Sequence, residues 1–348
     1  MFKNYKQQII DYLTPFLNQK SLELSTINSW GPDFIKRLIP YLRNGKMIRG
    51  SLVLFAENIF QNQTSNNGLI IASSIELINS GILIHDDIID NDLFRRGQPS
   101  FHQQYKSFGL TKQVTYPNQF GDALGICSGS ICSALCFELL NIINATPEIK
   151  QQIINLISKE IENVYLAEMQ DVYFSLINTS PTETEILDLY RTKTGRYTCS
   201  MPLMLGAIIT YQNQQTLSIL EKLGENLGIL FQIKDDELGL FGTPVTGKPI
   251  GTDISRANKT LYYYYLFKNS SSDELKLLKE IFGKINVTAQ EIEYVKNLTI
   301  SLSIDKHIAK ITQKIETEIH DLISKLSITQ THKNTLLELV NFIQNRNK

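Results

Sequence analysis

The sequence predicts an all-α protein: one domain over residues 1–348, with long helices surrounding a central cavity. Three observations predict it. Apolar residues recur with helical spacing along nearly the whole chain, alternating strand-like runs are scarce, and the breaks carry turn and capping residues. In order, the periodicity places helices at about 4–18, 32–43, 47–61, 68–91, 121–143, 148–176, 183–195, 198–211, 214–240, 256–268, 272–283, 288–298, 303–327 and 332–345. The first opens from Met1-Phe2-Lys3-Asn4-Tyr5-Lys6, an amphipathic start rather than an apolar signal core. Turn chemistry separates later pairs at Asn144-Ala145-Thr146-Pro147 and Asn178-Thr179-Ser180-Pro181. Ser272-Asp273-Glu274 marks a capped helix start with acids in its first turn. Gly109 to Phe120 and Phe241 to Ala257 read as irregular, and the second follows an acidic cluster, where a loop closing over phosphate would sit. No linker rich in Pro and Gly divides the chain, and no repeat is evident.

Composition narrows the function. With 42% hydrophobic and 20% charged residues, the 348-residue chain is an ordinary globular composition with a large core. A net charge of −1 argues against nucleic acid or an anionic membrane surface as partner, so any phosphate binding must be local. No unbroken apolar run of the length that spans a membrane is visible, so no transmembrane helix is expected. Cys127, Cys132, Cys136 and Cys199 lack metal-ligand spacing and read as buried reduced thiols, which suits a cytoplasmic protein.

Two distant acidic clusters carry the chemistry. The first is His85-Asp86-Asp87-Ile88-Ile89-Asp90, followed by Arg95-Arg96-Gly97; the second is Phe231-Gln232-Ile233-Lys234-Asp235-Asp236, followed by Lys248 and Lys259. Asp86 and Asp90 stand four apart and Asp87 and Asp90 three apart, so a helix puts them on one face. Like charges packed so closely repel, and paired acids near a helix C-terminus also oppose its dipole. A divalent cation relieves both costs, and magnesium held by carboxylates commonly completes its shell with phosphate oxygens. The nearby Arg and Lys residues suit diphosphate oxygens. Gly45-Lys46-Met47-Ile48-Arg49 sets two cations at a helix start, which a bound anion explains best, and Lys193-Thr194-Gly195-Arg196 forms a third basic patch. His85 reads as a helix-end residue and His102 as a structural partner.

Taken in order, these motifs resemble the trans-isoprenyl diphosphate synthases, the polyprenyl synthetase family. The resemblance spans roughly Gly45 to Thr260: Gly45-Lys46-x-x-Arg49, Asp86-Asp87-x-x-Asp90 with Arg95-Arg96-Gly97, Lys193-Thr194, Phe231-Gln232-x-x-Asp235-Asp236, and Thr246-Gly247-Lys248 with Asn258-Lys259-Thr260. It implies an isoprenoid synthase-type bundle of antiparallel helices, a homodimer, and three magnesium ions per site, with manganese as a substitute. Asp86, Asp90 and Asp235 would be direct metal ligands, with Asp87 and Asp236 as ligands or supporting carboxylates. Arg95, Lys193 and Lys248 would hold the allylic diphosphate, with Lys259 close by; Lys46, Arg49 and Arg96 would grip isopentenyl diphosphate. Thr194 would lie near the reacting carbons, Gln232 would contact substrate, and Asp171 would face the metals or a lysine.

Four positions depart from the family pattern. Asn79 stands where many members carry His or Gln for isopentenyl diphosphate, and Glu168 replaces the usual Gln. Gly239 replaces the last acid of the second motif, and Ser130 stands where Gly-Asp is common.

The reaction implied is head-to-tail elongation. The allylic C–O bond ionises, the isopentenyl double bond attacks, and the departing diphosphate takes the proton, since no His is placed for it. Product length depends on what blocks the cavity below Asp86. Ile82, Asn79 and Ile75 lie on or near that face, with Ile78 beside them; Ile78, Ile75 and Ser74 would set the next floor, with Phe137 from the facing helix. Gly81 occupies the fifth position before Asp86, where a bulky aromatic in the family halts growth. Without an aromatic floor, a product of twenty carbons or more is expected. The rivals are a class I terpene cyclase or head-to-head synthase, neither of which needs a second diphosphate pocket of the Lys46/Arg49/Arg96 kind, and a regulatory subunit without activity.

Overall fold

The computed structural model describes residues 2–176, 180–242 and 251–345. The chain folds into two compact units, one of Met1–Ile154 with Pro202–Tyr211, the other of Asn155–Met201 with Gln212–Lys348.

In the first unit, α1 (Phe2–Ser25), α2 (Trp30–Arg43) and α3 (Ile48–Gln61) precede α4 (Asn66–Ile89), which ends in the first acidic cluster. Every side chain of α4 from Ile70 to Gly81 is buried, as its near-continuous apolar sequence demands. Ser65 caps it by accepting from the Gly68 N–H, and Glu57 of α3 holds Ser65 in turn. After α4 comes a two-stranded hairpin, β1 (Phe94–Arg95) with β2 (Gln98–Pro99), then α5 (Phe101–Thr111) and α6 (Pro117–Asn141). Helix α6 packs on α4 by glycine: a methyl group on Gly81 would lie 2.6 Å from the Gly129 carbonyl oxygen and 3.1 Å from Cys132 Cβ.

α7 (Pro147–Leu176) carries the chain into the second unit, which continues with α8 (Glu183–Tyr190) and a π-helix over Arg191–Ser200. α9 (Met201–Ile209) returns the chain to the first unit. In the second unit again, α10 (Gln214–Phe241) is followed by α11 (Thr252–Ser255), α12 (Leu261–Asn269), α13 (Ser272–Ile281), α14 (Ala289–Ser301), α15 (Ile304–Lys325) and α16 (Gln330–Asn345). Capping boxes start α8, α13 and α14, each pairing a Ser or Thr with a Glu three residues on.

The all-α prediction holds, and most helices fall where periodicity places them. The differences are local. α5 occupies a stretch the sequence leaves unassigned, because its aromatic buried face (Phe101, His102, Tyr105) does not read as a regular helical stripe. The predicted break near residue 196 is instead a continuous turn of wider helix. The predicted helix over 256–268 starts later, at Leu261, with Thr260 as its cap. Cys127 is exposed, whereas the other three thiols are buried. α4 and α6 are each long and apolar enough by composition to cross a membrane, contrary to the expectation from unbroken runs. Of the apolar windows in question, 78% of the one in α4 and 44% of the one in α6 is buried within the protein. A core helix passes the same test as a membrane span.

Candidate active site

The hairpin after α4 brings a cation back to the acids. Arg96 (φ 55°) and Gly97 (φ 74°) both have left-handed backbones, as a two-residue turn between β1 and β2 requires. That turn folds Arg95 onto α4, where its Nε donates to Asp87 Oδ1 at 2.6 Å and one Nη to Asp86 Oδ2 at 3.0 Å. The same nitrogen lies 3.5 Å from Asp92, so three carboxylates share one guanidinium. Asp87 is fully buried, and burial pushes its carboxyl up to about 7 against the opposing pull of Arg95. Its second oxygen has no hydrogen-bond partner among the described residues.

Arg96 points the other way. It donates to the Tyr41 carbonyl at 2.8 Å, stacks 5.2 Å from the Tyr41 ring centroid, and lies so close to Gly45 that a side chain there would overlap it. Gly45 in Gly45-Lys46-x-x-Arg49 thus leaves room for a guanidinium. Lys46 is exposed and Arg49 half-buried at the start of α3. Glu76, on α4, accepts from the Gly50 N–H at 2.8 Å and lies within the electrostatic reach of both Arg49 and Arg96. Burial raises its carboxyl, with those two arginines opposing. Sequence reasoning missed Glu76. Its signal was a single acid in an otherwise uncharged stretch from Leu69 to Ile84.

Asn79 is 3% exposed, and its Oδ1 has no hydrogen-bond partner among the described residues. Ile75 and Ile78 are buried and Ile82 half-buried. Gly81 serves the α4–α6 crossing, so an added ring there would displace backbone before it could act as a floor. Phe137 is 40% exposed, outside the buried face of α6. His85 Nε2 donates to the Ile126 carbonyl at 3.1 Å, and His102 is buried against the Ser100 hydroxyl. Both histidines are structural, as the sequence indicates. Ser130 is exposed and donates to the Ile126 carbonyl at 3.0 Å.

The second unit assembles the other set. Lys193, in the π-helix, donates to Asp171 Oδ2 at 2.7 Å and lies 2.7 Å from Glu168 Oε2. Thr194 donates to Gln232 Oε1 at 3.1 Å, and Gln232 Nε2 donates to Asp236 Oδ1 at 2.9 Å. The Tyr190 hydroxyl donates to Asp236 Oδ2 and accepts from the Leu261 N–H at 3.2 Å. Both oxygens of Asp236 are therefore engaged within the protein, while Asp235, one residue earlier, is half-buried. Burial pushes the Asp236 carboxyl well above its usual range, with Asp253 adding repulsion. A methyl group on Gly239 would overlap the Asp253 carboxylate, so a side chain there would require that carboxylate to move. Lys259 lies 4.1 Å from the Tyr263 ring centroid and donates to its hydroxyl at 3.0 Å. Lys248, with Thr246 and Gly247, lies outside the described residues.

Among the described residues, no three His, Cys, Asp or Glu side chains are already gathered as a metal-ligand set. The donors nevertheless fit a hard divalent cation. Asp86 and Asp90 lie a helical turn apart, all donors are carboxylate oxygens, and the second oxygen of Asp87 is buried without a hydrogen bond.

The sequence model of the polyprenyl synthetase family matches residues 32–299. The chain belongs to this family. A short chain isoprenyl diphosphate synthase of Methanocaldococcus jannaschii is 33% identical over 223 residues, 64% of this chain and 62% of that protein. A geranylgeranyl diphosphate synthase of Saccharolobus solfataricus is 30% identical over 226 residues, covering 64% and 63%. The match thus spans just under two thirds of the length of each of these polyprenyl synthetases. The crystal structure of a geranylgeranyl pyrophosphate synthase from Corynebacterium glutamicum, complexed with isoprenyl diphosphate and magnesium, superposes with a TM-score of 0.90. It covers 99% of both chains at 24% identity, a likeness of fold.

Proposed function

We propose that this polyprenyl synthetase is a magnesium-dependent trans-prenyltransferase. It joins an allylic diphosphate head to tail with isopentenyl diphosphate, giving geranylgeranyl diphosphate or a longer homologue. The observation that carries the reading is the presence of two separate basic sites on the first unit: Arg95 on the acids of α4, and Arg96 with Arg49 around Gly45 and Glu76. A cyclase needs one diphosphate pocket, whereas elongation needs two.

In this reading Asp86, Asp90 and Asp235 hold the metal, three ions per site, with manganese able to replace magnesium. Asp87 supports them from below and Asp236 from within its hydrogen bonds. Magnesium bound there would neutralise charge on the leaving diphosphate. Arg95, Lys193, Lys248 and Lys259 hold the allylic diphosphate, and Lys46, Arg49, Arg96 and Asn79 hold isopentenyl diphosphate at contact distance from the allylic carbon. Thr194 and Gln232, already bonded to each other, line the reacting end. In this reading the released diphosphate is the base that takes the proton; His85 donates to a backbone carbonyl and His102 is buried beside the Ser100 hydroxyl.

The two units work as one domain in this proposal, supported by a chain that passes between them three times. Exposed Ile126, Phe137 and Ile142 on and just after α6 support a homodimer. Free cysteines, three of them buried, support a reducing, cytoplasmic setting. One incubation tests the function: purified protein with magnesium, isopentenyl diphosphate and an allylic starter. Elongated product supports the reading. Diphosphate release without elongation would mean a cyclase, and no turnover a subunit that only binds a catalytic partner.

A further inference from the structure

We propose that Glu76 is a positioning residue for isopentenyl diphosphate: it reaches from α4 to cap α3 and so fixes the turn that carries Lys46 and Arg49, an inference that rests on the function proposed above. The first turn of a helix leaves its N–H groups without internal partners. A side-chain oxygen just before the helix normally answers the N–H of its third residue. The residue before α3 is Met47, which is 2% exposed, left-handed at φ 51°, and makes no capping hydrogen bond. A thioether is a weak acceptor, and a left-handed backbone disfavours a side chain with a Cβ. Glu76, 26 residues beyond Gly50, supplies the missing oxygen. The N–H of Gly50, the third residue of α3, donates to its Oε1 at 2.8 Å, and the Arg49 N–H adds to the hold on the carboxylate. Glycine permits the approach: a methyl group at residue 50 would lie 2.8 Å from the Ala72 carbonyl oxygen and 3.0 Å from Glu76 Cγ. Glu76 is 3% exposed, so water is not at hand to replace it. The start of α3, which would otherwise draw substrate phosphate, is thus already answered by a side chain of the protein. Isopentenyl diphosphate is left to the side chains of Lys46, Arg49 and Arg96, and the first two stand on either side of the Met47 turn. Holding α3 at Gly50 holds that turn, and with it the placement of the two cations.

The test pairs steady-state kinetics with amide hydrogen exchange in the full-length protein. Glu76→Met keeps the length of the side chain without the acceptor, and is expected to raise KM for isopentenyl diphosphate about tenfold, the scale of one charge-assisted hydrogen bond. KM for the allylic substrate should stay within about twofold, a split that loss of stability alone does not produce. Glu76→Gln, which still offers Gly50 an oxygen, should recover most of the loss, with a rise of no more than about threefold. Glu76→Asp draws the oxygens back by one methylene; it serves where Glu76→Met does not fold, and should raise the same KM about fivefold. In the parent protein without ligand, the Gly50 amide should exchange at least about 100-fold more slowly than in the unfolded chain, and added inorganic diphosphate should slow it by less than about threefold more. An unprotected Gly50 amide, a KM rise shared equally by both substrates, parent-like KM in both Glu76→Met and Glu76→Asp, or Glu76→Gln as impaired as Glu76→Met overturns the proposal. Failure of the parent protein to elongate any allylic starter would instead refute the prenyltransferase reading, while the Gly50 amide would still report the cap.

Discussion

The hydroxyl of Tyr190 stands between the carboxylate of Asp236 and the backbone N–H of Leu261, donating to the first and accepting from the second. Leu261 is the first residue of α12, where a helix leaves its N–H groups without internal partners. One buried phenol thus ties α8, the second acidic motif and the helix that follows Lys259. Tyr190→Phe removes the hydroxyl while keeping the ring. It is expected to cost about 1–3 kcal/mol in urea unfolding, because a buried donor and acceptor lose their partner. It should also lower kcat by about 10- to 100-fold, the usual consequence of releasing a carboxylate that supports a metal ligand, the role proposed for neighbouring Asp235. A variant with unaltered stability and turnover would show that the phenol has no such part.

Gly45→Ala places a methyl group into the Arg96 guanidinium. Arg96 must then leave the Tyr41 carbonyl and ring. Steady-state kinetics should show KM for isopentenyl diphosphate raised about tenfold, the worth of one charged hydrogen bond. KM for the allylic substrate should stay near its parent value.

Product length is tested better at Ile82 than at Gly81. Ile82 is half-buried one turn before Asp86, so Ile82→Phe should shorten the prenyl chain on chromatography. Gly81→Phe should lower stability by at least about 1–3 kcal/mol, since its ring has to displace the Gly129 backbone. An unchanged product from a folded Ile82→Phe protein would exclude this face as the tube wall.

Arg196 pairs with Glu160 of α7 and with Glu221 and Glu225 of α10. Glu160 is 1% exposed, so removing its cation strands a buried charge. Arg196→Met should destabilise the protein by about 3–5 kcal/mol in denaturant unfolding. Loss of less than about 1 kcal/mol would mean that Glu160 finds another partner or a proton.

Glu57 supplies a pH test away from the site. Burial raises its carboxyl above the usual 4.5, with donors from Ser65 and Gln61 opposing. A raised native value means that the folded protein binds the proton more tightly. Its contribution is therefore full below 4.5 and is lost as pH climbs through the raised value. The Tm of the parent protein minus that of Glu57→Gln should shrink as pH rises from 4.5, and a difference independent of pH would contradict the assignment.

Much of this was legible in the chain because it rests on local spacing. Apolar periodicity located α4 and α10, and the acids at their C-terminal turns stood out because like charges against a helix dipole call for compensation. The hairpin was less visible: Arg96-Gly97 carries only one glycine for two left-handed positions, so the arginines announced chemistry but not the turn that aims them apart. Tyr190 and Glu76 were silent because their importance lies in partners 46 and 26 residues away, which no local pattern encodes.

By itself, the sequence determined the helical class, the family, and the residue types proposed to bind diphosphate and metal, since each follows from composition and short-range order. Only the tertiary structure decided which charges are already spoken for. Arg95 closes on Asp86 and Asp87, Lys193 on Glu168 and Asp171, and Asp236 is held by Tyr190 and Gln232. The reason is that burial strips water from an ionic group, and the folded chain must then supply a partner from wherever the packing brings one.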